Sequence, residues 1–217
     1  MGCEESSKTL VQCDFDGTIT YDDVSFAMLD AFADGHWKHL FEEYEKGHIS
    51  VGRFNTDAFA MVKASRQQLL EVARNSAKIR EGFQDFVACC RNKNFRLVVV
   101  SNGLDFYIHD ILGNVGLGDI PIFAARTTFD GNGLKVQYIG PEGNHLDDDF
   151  KGAYVESFLA EGYRMLYVGN GTSDLPPARR CSHIFATDSL LRHCRQANLA
   201  CTPFTSFTEV IKVLELL

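Results

Sequence analysis

Hydrophobic positions along the chain keep two rhythms, and the change between them divides it. Residues 9–13 (TLVQC) form a short, mostly apolar run that ends at Asp14, which predicts a strand closing at the turn glycine Gly17. From 21 to about 78 the rhythm is helical. Val24, Met28, Leu29 and Phe32 recur at helix spacing, then Trp37, Leu40, Phe41 and Tyr44, predicting two short amphipathic helices joined at Asp34-Gly35. Ser50 has the character of an N-cap for a third helix through Phe54, Phe59 and Met61. Ser65-Arg66-Gln67-Gln68 has the form of a capping box opening a fourth, through Leu69, Leu70 and Val72.

Beyond residue 78, helix and strand alternate. Phe83, Phe86, Val87 and Cys90 line one helix face, and 95–100 (FRLVVV) is the continuous apolar run of a strand buried on both sides. A helix over 106–112 follows. The runs 122–129 and 134–139, separated by Asp130-Gly131-Asn132-Gly133, predict a β-hairpin. An acidic loop at 147–149 precedes a helix over 152–160. Residues 165–168 (MLYV) and 183–186 predict two more strands, and 210–217 a closing helix. Such alternation implies right-handed crossovers and an open, mainly parallel α/β sheet flanked by helices. The expected division is a core of 1–21 and 79–217 interrupted by a small helical cap, 22–78.

Composition narrows the partners. A chain of 217 residues is one domain, or one domain with an insertion. The formal charge of −8 argues against nucleic acid, which needs a basic face. No apolar run approaches a membrane span and no charged-then-apolar leader opens the chain, so no membrane partner is expected. The seven cysteines form no C-x-x-C pair, which points to free thiols in a reducing cytoplasm. The start, MGCEES, matches the M-G-x-x-x-S myristoylation pattern with Cys3 beside it, but the acidic flank does not favour an anionic leaflet, and a plain leader is the preferred reading. Monomer and homodimer both stay open.

The candidate chemistry lies at predicted strand ends, where open α/β sheets bind their ligands. Asp14 and Asp16 are two apart on an extended segment, so their carboxylates face the same side. Two like charges held that close call for a cation, and Mg²⁺ fits best. The second predicted strand ends in Ser101-Asn102-Gly103 and the third in Gly169-Asn170-Gly171-Thr172-Ser173-Asp174, with Lys151 shortly before it. Alone, each of these motifs is more often a turn or a solvated lysine. Together they place phosphate- and metal-binding groups on one sheet edge.

DFDGTIT, SNG, Lys151 and GNGTSD, in that order, resemble the four motifs of the haloacid dehalogenase superfamily of phosphatases. The match spans nearly the whole chain, and the helical insertion resembles that superfamily's small cap. The chain looks most like the phosphoserine phosphatase-like branch. AKIREGF at 77–83, with GLDFYI after the second motif, is similar to methionine-salvage phosphatases acting on 2-hydroxy-3-keto-5-methylthiopentenyl 1-phosphate.

The resemblance implies a Rossmann-like core and a Mg²⁺-dependent hydrolase of a small phosphorylated metabolite. Asp14 would be the nucleophile, forming an aspartyl-phosphate, and Asp16 the general acid and base. Thr18 would hold Asp16 or shape the turn. The metal would take the Asp14 carboxylate, the Asp16 carbonyl, and Asn170 and Asp174. Ser101, Asn102 and Gly103 would grip the phosphoryl oxygens, and Lys151 would offset developing negative charge.

The chain departs from that pattern at two places. Asn170 stands where aspartate is usual, removing one negative charge, so metal affinity should fall unless Asp174 compensates. Asp23 occupies the place that reads the substrate amine in phosphoserine phosphatases, but Thr56 stands where a carboxylate-reading arginine is expected, with Arg53 only nearby. Phe26, Trp37 and Phe54 either line an apolar pocket or pack in the core, the commoner use.

Rival readings are weaker. Cys90-x5-Arg96 has cysteine-phosphatase spacing but reads as a helix end running into a strand, and His145 with 147–149 reads as a solvated loop. A relative that binds a phosphorylated ligand with little or no turnover, or a phosphomutase, shares most of the site. Asp16 favours turnover over binding alone, since a group that activates water serves hydrolysis.

Overall fold

Strand β1 (Thr9–Cys13) is the axis of the molecule, and every one of its residues is buried. The structure is a computed structural model and describes residues 8–33, 35–130 and 133–217, with the backbone alone at Asp130 and Gly133. After β1 come α1 (Val24–Phe32), α2 (Trp37–Glu45), α3 (Val51–Ala60) and α4 (Arg66–Ser76), the four helices expected there. Two begin on the predicted caps. The Ser50 hydroxyl accepts the Arg53 amide at 3.1 Å, and Ser65 and Gln68 close a reciprocal capping box. Asp34, half of the expected joint, lies outside the described residues, as does the MGCEES start.

The chain continues through α5 (Phe83–Asn92), β2 (Arg96–Leu104), α6 (Asp105–Asn114), β3 (Ile122–Asp130), β4 (Gly133–Gln137), α7 (Phe150–Ala160) and β5 (Arg164–Gly169). A 3-10 turn (Thr172–Asp174) leads into α8 (Leu175–Ala178), β6 (His183–Ala186), α9 (Asp188–Gln196), β7 (Thr202–Pro203) and α10 (Phe207–Leu214). The strands form one sheet in the order β4-β3-β2-β1-β5-β6-β7, parallel except for the antiparallel β3–β4 pair. Strand order runs outward from β1 in one direction and restarts at β5 in the other. That reversal opens the crevice where an α/β sheet takes its ligand. The Asp14 amide donates to the Val168 carbonyl at 2.9 Å, holding the first residue after β1 against β5 at that crevice.

The structure differs from the sequence expectations in instructive ways. Strand β2 runs past the apolar run through Ser101, Asn102 and Gly103 to Leu104, and its register with β3 shifts between Val100 and Leu104. Ser101–Gly103 therefore lie in an irregular strand end rather than beyond it. Helix α7 starts at Phe150, which puts Lys151 in its first turn. The closing helix starts at Phe207, earlier than expected, because Ser206 and Glu209 cap it. Helix α9 was not predicted, since Leu190 and Cys194 are its buried residues and so sparse an apolar face is not readable as a period. The hairpin pairs Thr127 with Val136 as its alternation requires, while Gly131 and Asn132 of its loop lie outside the described residues.

Helix α3 packs against β4 and β2, and α4 packs against α6. Arg74 on α4 grips Asp110 on α6 with two hydrogen bonds of 2.7 and 2.6 Å. No described helix is long and apolar enough to cross a membrane.

Candidate active site

Three strand ends and one helix turn converge at the crevice. Lys151 is 3% exposed, and its Nζ lies 2.8 Å from Asp14 Oδ1 and 2.6 Å from Asp174 Oδ1. The first turn of α7 is held in place because the Gln12 side chain, pointing off β1, donates to the Lys151 carbonyl at 3.0 Å. Asp174 is fully buried and fully engaged. Tyr167 donates to its Oδ1 at 2.7 Å, and the amides of Asn170 and Gly171 donate to its Oδ2 at 3.0 and 2.8 Å. Burial raises the Asp14 carboxyl to about 7, with Lys151 opposing the rise. Burial also works against the charge on Lys151, but Asp14 and Asp174 together hold its pKa above the ordinary lysine value.

Asp16 has a separate shell. Its Oδ1 accepts the Val24 amide at 2.9 Å, tying it to the start of α1, and its Oδ2 accepts the hydroxyl of Tyr107 on α6. The Tyr107 hydroxyl is in turn 2.8 Å from that of Ser25. Burial and the neighbouring Asp23 carboxylate raise Asp16 to about 8, a proton-holding range suited to an acid that works near neutrality. Gly103 is required here, because a Cβ on it would collide with the Tyr107 hydroxyl and the Asp16 carboxylate. Gly17 combines a φ of +73° with a position where a Cβ would strike the Asn170 side chain.

Thr18 does not reach Asp16. Its hydroxyl donates to Asn170 Oδ1 at 3.0 Å, so it links the turn after β1 to the loop after β5. The turn itself is held by Arg80, which sequence reasoning passed over. Its guanidinium donates to the carbonyls of Gly17 (2.6 Å), Thr18 (2.8 Å), Thr20 (3.4 Å) and Thr205 (3.1 Å). The same group lies over the rings of Tyr21 and Phe204 at 4.7 and 5.6 Å.

A cavity of about 410 Å³ opens above Asp14 and Asp16, and Ser101, Asn102, Gly103, Lys151 and Asn170 join its wall. Ser101 is buried and accepts the Gly103 amide at 3.0 Å. The Asn102 carbonyl is claimed by the Asn55 side chain (3.0 Å) and the Tyr138 hydroxyl (2.6 Å), two further groups without a sequence signal. Asp23 lines the cavity and caps α1, accepting the Phe26 amide at 3.0 Å, and burial raises it to about 6. Phe26 and Phe54 line the same space, whereas Trp37 is buried against Phe26 outside it. Arg53 pairs with Asp57 at the surface, and neither it nor Thr56 reaches the cavity wall.

Residues 11–179 match the family described as haloacid dehalogenase-like hydrolase. The chain belongs to that family. The 2-hydroxy-3-keto-5-methylthiopentenyl-1-phosphate phosphatase of Brevibacillus brevis is 28% identical over 214 residues, covering 97% of this chain and 96% of that protein. The protein of the same name from Geobacillus thermodenitrificans is 28% identical over 209 residues, 94% of each. Among solved structures, a phospho-aspartyl intermediate analogue of phosphoserine phosphatase superposes with a TM-score of 0.72 at 20% identity, covering 96% of this chain and 99% of that one. A substrate-bound phosphoserine phosphatase gives 0.72 at 19% identity. These likenesses establish a Rossmann-like α/β fold.

For a haloacid dehalogenase-like hydrolase, the donor set of this crevice suits Mg²⁺. Asp14 offers a carboxylate, Asp16 a main-chain carbonyl and Asn170 an amide oxygen, whereas Asp174, expected from the sequence as a further ligand, is fully buried with both oxygens taken by Lys151, Tyr167 and the Asn170 and Gly171 amides. The three donors are hard and carry a single charge, which matches an ion that keeps several of its waters. Among the described residues no three His, Cys, Asp or Glu side chains gather as a metal cluster, and His145 merely pairs with Asp147 at the surface. Cys90 is buried in α5 with its thiol pushed up to about 12 by that burial, unlike a reactive cysteine.

Proposed function

We propose that this hydrolase is a phosphatase that cleaves the phosphomonoester of a small metabolite, using Asp14 as nucleophile and Asp16 as general acid and base. The observation that carries the reading is the buried Lys151 ammonium, set between Asp14 and Asp174 at the floor of an open cavity. Asp14 attacks phosphorus, its oxygen forming the new P–O bond as the ester P–O bond breaks. The leaving oxygen takes its proton from Asp16. Water then adds to the aspartyl-phosphate and gives a proton back to Asp16, releasing phosphate and restoring Asp14.

Mg²⁺ held by Asp14, the Asp16 carbonyl and Asn170 would supply charge neutralisation between nucleophile and phosphate. Lys151 and the Ser101–Gly103 segment grip the phosphoryl oxygens. Asp174 holds Lys151 in place, and Tyr107 orients Asp16. Residues 22–78 act as a cap on the core of 1–21 and 79–217. The described cysteines are free thiols, in keeping with a reducing cytoplasm.

The test is phosphate release from a panel of phosphorylated metabolites that includes the methionine-salvage enol 1-phosphate and phosphoserine, with and without Mg²⁺. Release should need the metal and vanish in Asp14→Asn. Equal release by that variant removes Asp14 from the nucleophile role, and silence across the panel favours a ligand-binding relative.

A further inference from the structure

The acid side of the site is built from more than Asp16, and its parts come from three places in the chain. Asp16 follows β1, Ser25 lies in the first turn of α1, and Tyr107 stands on α6. Tyr107 is fully buried, its ring centroid 6.1 Å from that of Phe15 and 5.7 Å from that of Phe106, and Ser25 is 6% exposed. The Ser25 and Tyr107 hydroxyls are 2.8 Å apart, and Tyr107 donates to Asp16 Oδ2. A chain of hydrogen bonds thus runs from α1 through α6 to the carboxylate.

Counting protons gives the chain a direction. A tyrosine has one hydroxyl proton, and with that proton on Asp16 the Ser25 hydroxyl is the donor to Tyr107. The Val24 amide takes Asp16 Oδ1 at 2.9 Å, so α1 holds one carboxylate oxygen directly and the other through Tyr107. Two of the roughly four lone-pair sites of the carboxylate are filled in this way, and the rest are what Asp16 presents to the cavity it lines. In the opposite order Asp16 would spend its proton on Tyr107, and Tyr107 its own on Ser25. The acid would then be turned away from a leaving group.

Resting on the phosphatase reading, we propose that Ser25 is a positioning residue for the acid step. By donating to Tyr107 it keeps the tyrosine proton on Asp16, and so keeps the Asp16 proton for the departing alcohol. The acid is complete only where α1 and α6 meet, whereas Lys151, Asp14 and Asp174 assemble without either helix. The step served is the first one, in which the ester P–O bond breaks with its electron pair on the leaving oxygen and the Asp16 proton passes to that oxygen.

The experiment compares kcat/KM, with Mg²⁺ present, for two phosphates of similar size. Benzyl phosphate releases an alkoxide that needs the proton, and p-nitrophenyl phosphate a stable phenolate that does not. Ser25→Ala should lower the benzyl-to-nitrophenyl ratio about fivefold and Tyr107→Phe about tenfold or more. Ser25→Thr, which keeps the hydroxyl, should restore most of the ratio. Ser25→Ala added to Tyr107→Phe should lower the ratio no further, because Ser25 acts through Tyr107. An unmoved ratio in Ser25→Ala, an equal fall for both phosphates, or an additive fall in the double variant overturns the assignment and leaves the phosphatase reading standing. A wild-type protein that hydrolyses neither phosphate overturns both.

Discussion

Lys151 Nζ stands within 2.8 Å of Asp14 Oδ1 while also contacting Asp174, so a single buried ammonium joins the end of β1 to the turn after β5. Both carboxylates lie where water does not screen them, at 5% exposure for Asp14 and none for Asp174. Removing the cation leaves two acids facing each other in a poorly polarisable setting, and breaking a buried pair in this way costs about 3–5 kcal/mol. Lys151→Met should therefore lower the unfolding free energy obtained from urea titration by an amount in that range. It should also cut phosphate release by about a hundredfold or more, as loss of one charge-stabilising donor does. Lys151→Arg keeps the charge and should recover more of the stability than of the activity.

Arg80 makes a second prediction, about the turn rather than the chemistry. Its guanidinium satisfies the carbonyls of Gly17 and Thr18, which are buried, and closes the turn against Thr205 near the start of α10. Lysine at this position keeps the charge but cannot hold the same fork. Arg80→Lys should lose about 2 kcal/mol of unfolding free energy by denaturant titration, roughly the cost of leaving one or two carbonyls poorly paired. Since Asp16 sits in that turn, kcat should fall while KM changes little.

The contrast between Asp14 and Arg80 shows what could be read along the chain. Asp14, Asp16 and Ser101–Gly103 announce themselves because strand period, turn glycines and acidic spacing are local properties. The guanidinium of Arg80 reaches carbonyls 60 or more residues away, and Tyr107 meets Asp16 across 91 residues, so neither has a local sign. Tyr107 looks like one more apolar position of α6, and its hydroxyl gains meaning only when α6 is laid against the crevice. Thr18 was legible as a turn residue, but its bond to Asn170 depends on β5 lying beside β1. The sheet was legible where a strand carries an apolar run, as in β1, β2 and β5, and lost at β7, which is two residues long.

The Arg74–Asp110 contact between α4 and α6 gives a pH prediction. The hydrogen bonds from Arg74 hold the Asp110 carboxyl below the usual aspartate range in the folded protein. A depressed folded pKa means the unfolded state takes up the proton first as pH falls. The stabilisation is thus complete above about pH 4, the unfolded aspartate value, and is lost as the pH drops through the lower folded value. The stability gap between wild type and Arg74→Ala should stay flat from neutral pH down to that point and close below it, as followed by thermal melts across pH. A gap that widens in acid would contradict the assignment.

Asn170 yields the last prediction, on the metal. Its amide oxygen already accepts the Thr18 hydroxyl, a bond that an aspartate accepts equally well, so Asn170→Asp changes charge with little change in shape. The added negative charge should tighten Mg²⁺ by about tenfold, because ligand charge count sets affinity for hard cations. Without metal the same charge adds to the repulsion around Asp14, so the metal-free variant should melt lower than wild type. Mg²⁺ should then raise the melting temperature of Asn170→Asp further than that of wild type, a readout independent of turnover. Equal shifts in both proteins would place the ion away from Asn170. A metal-free variant more stable than wild type would mean that the loop after β5 does not face Asp14 as a ligand.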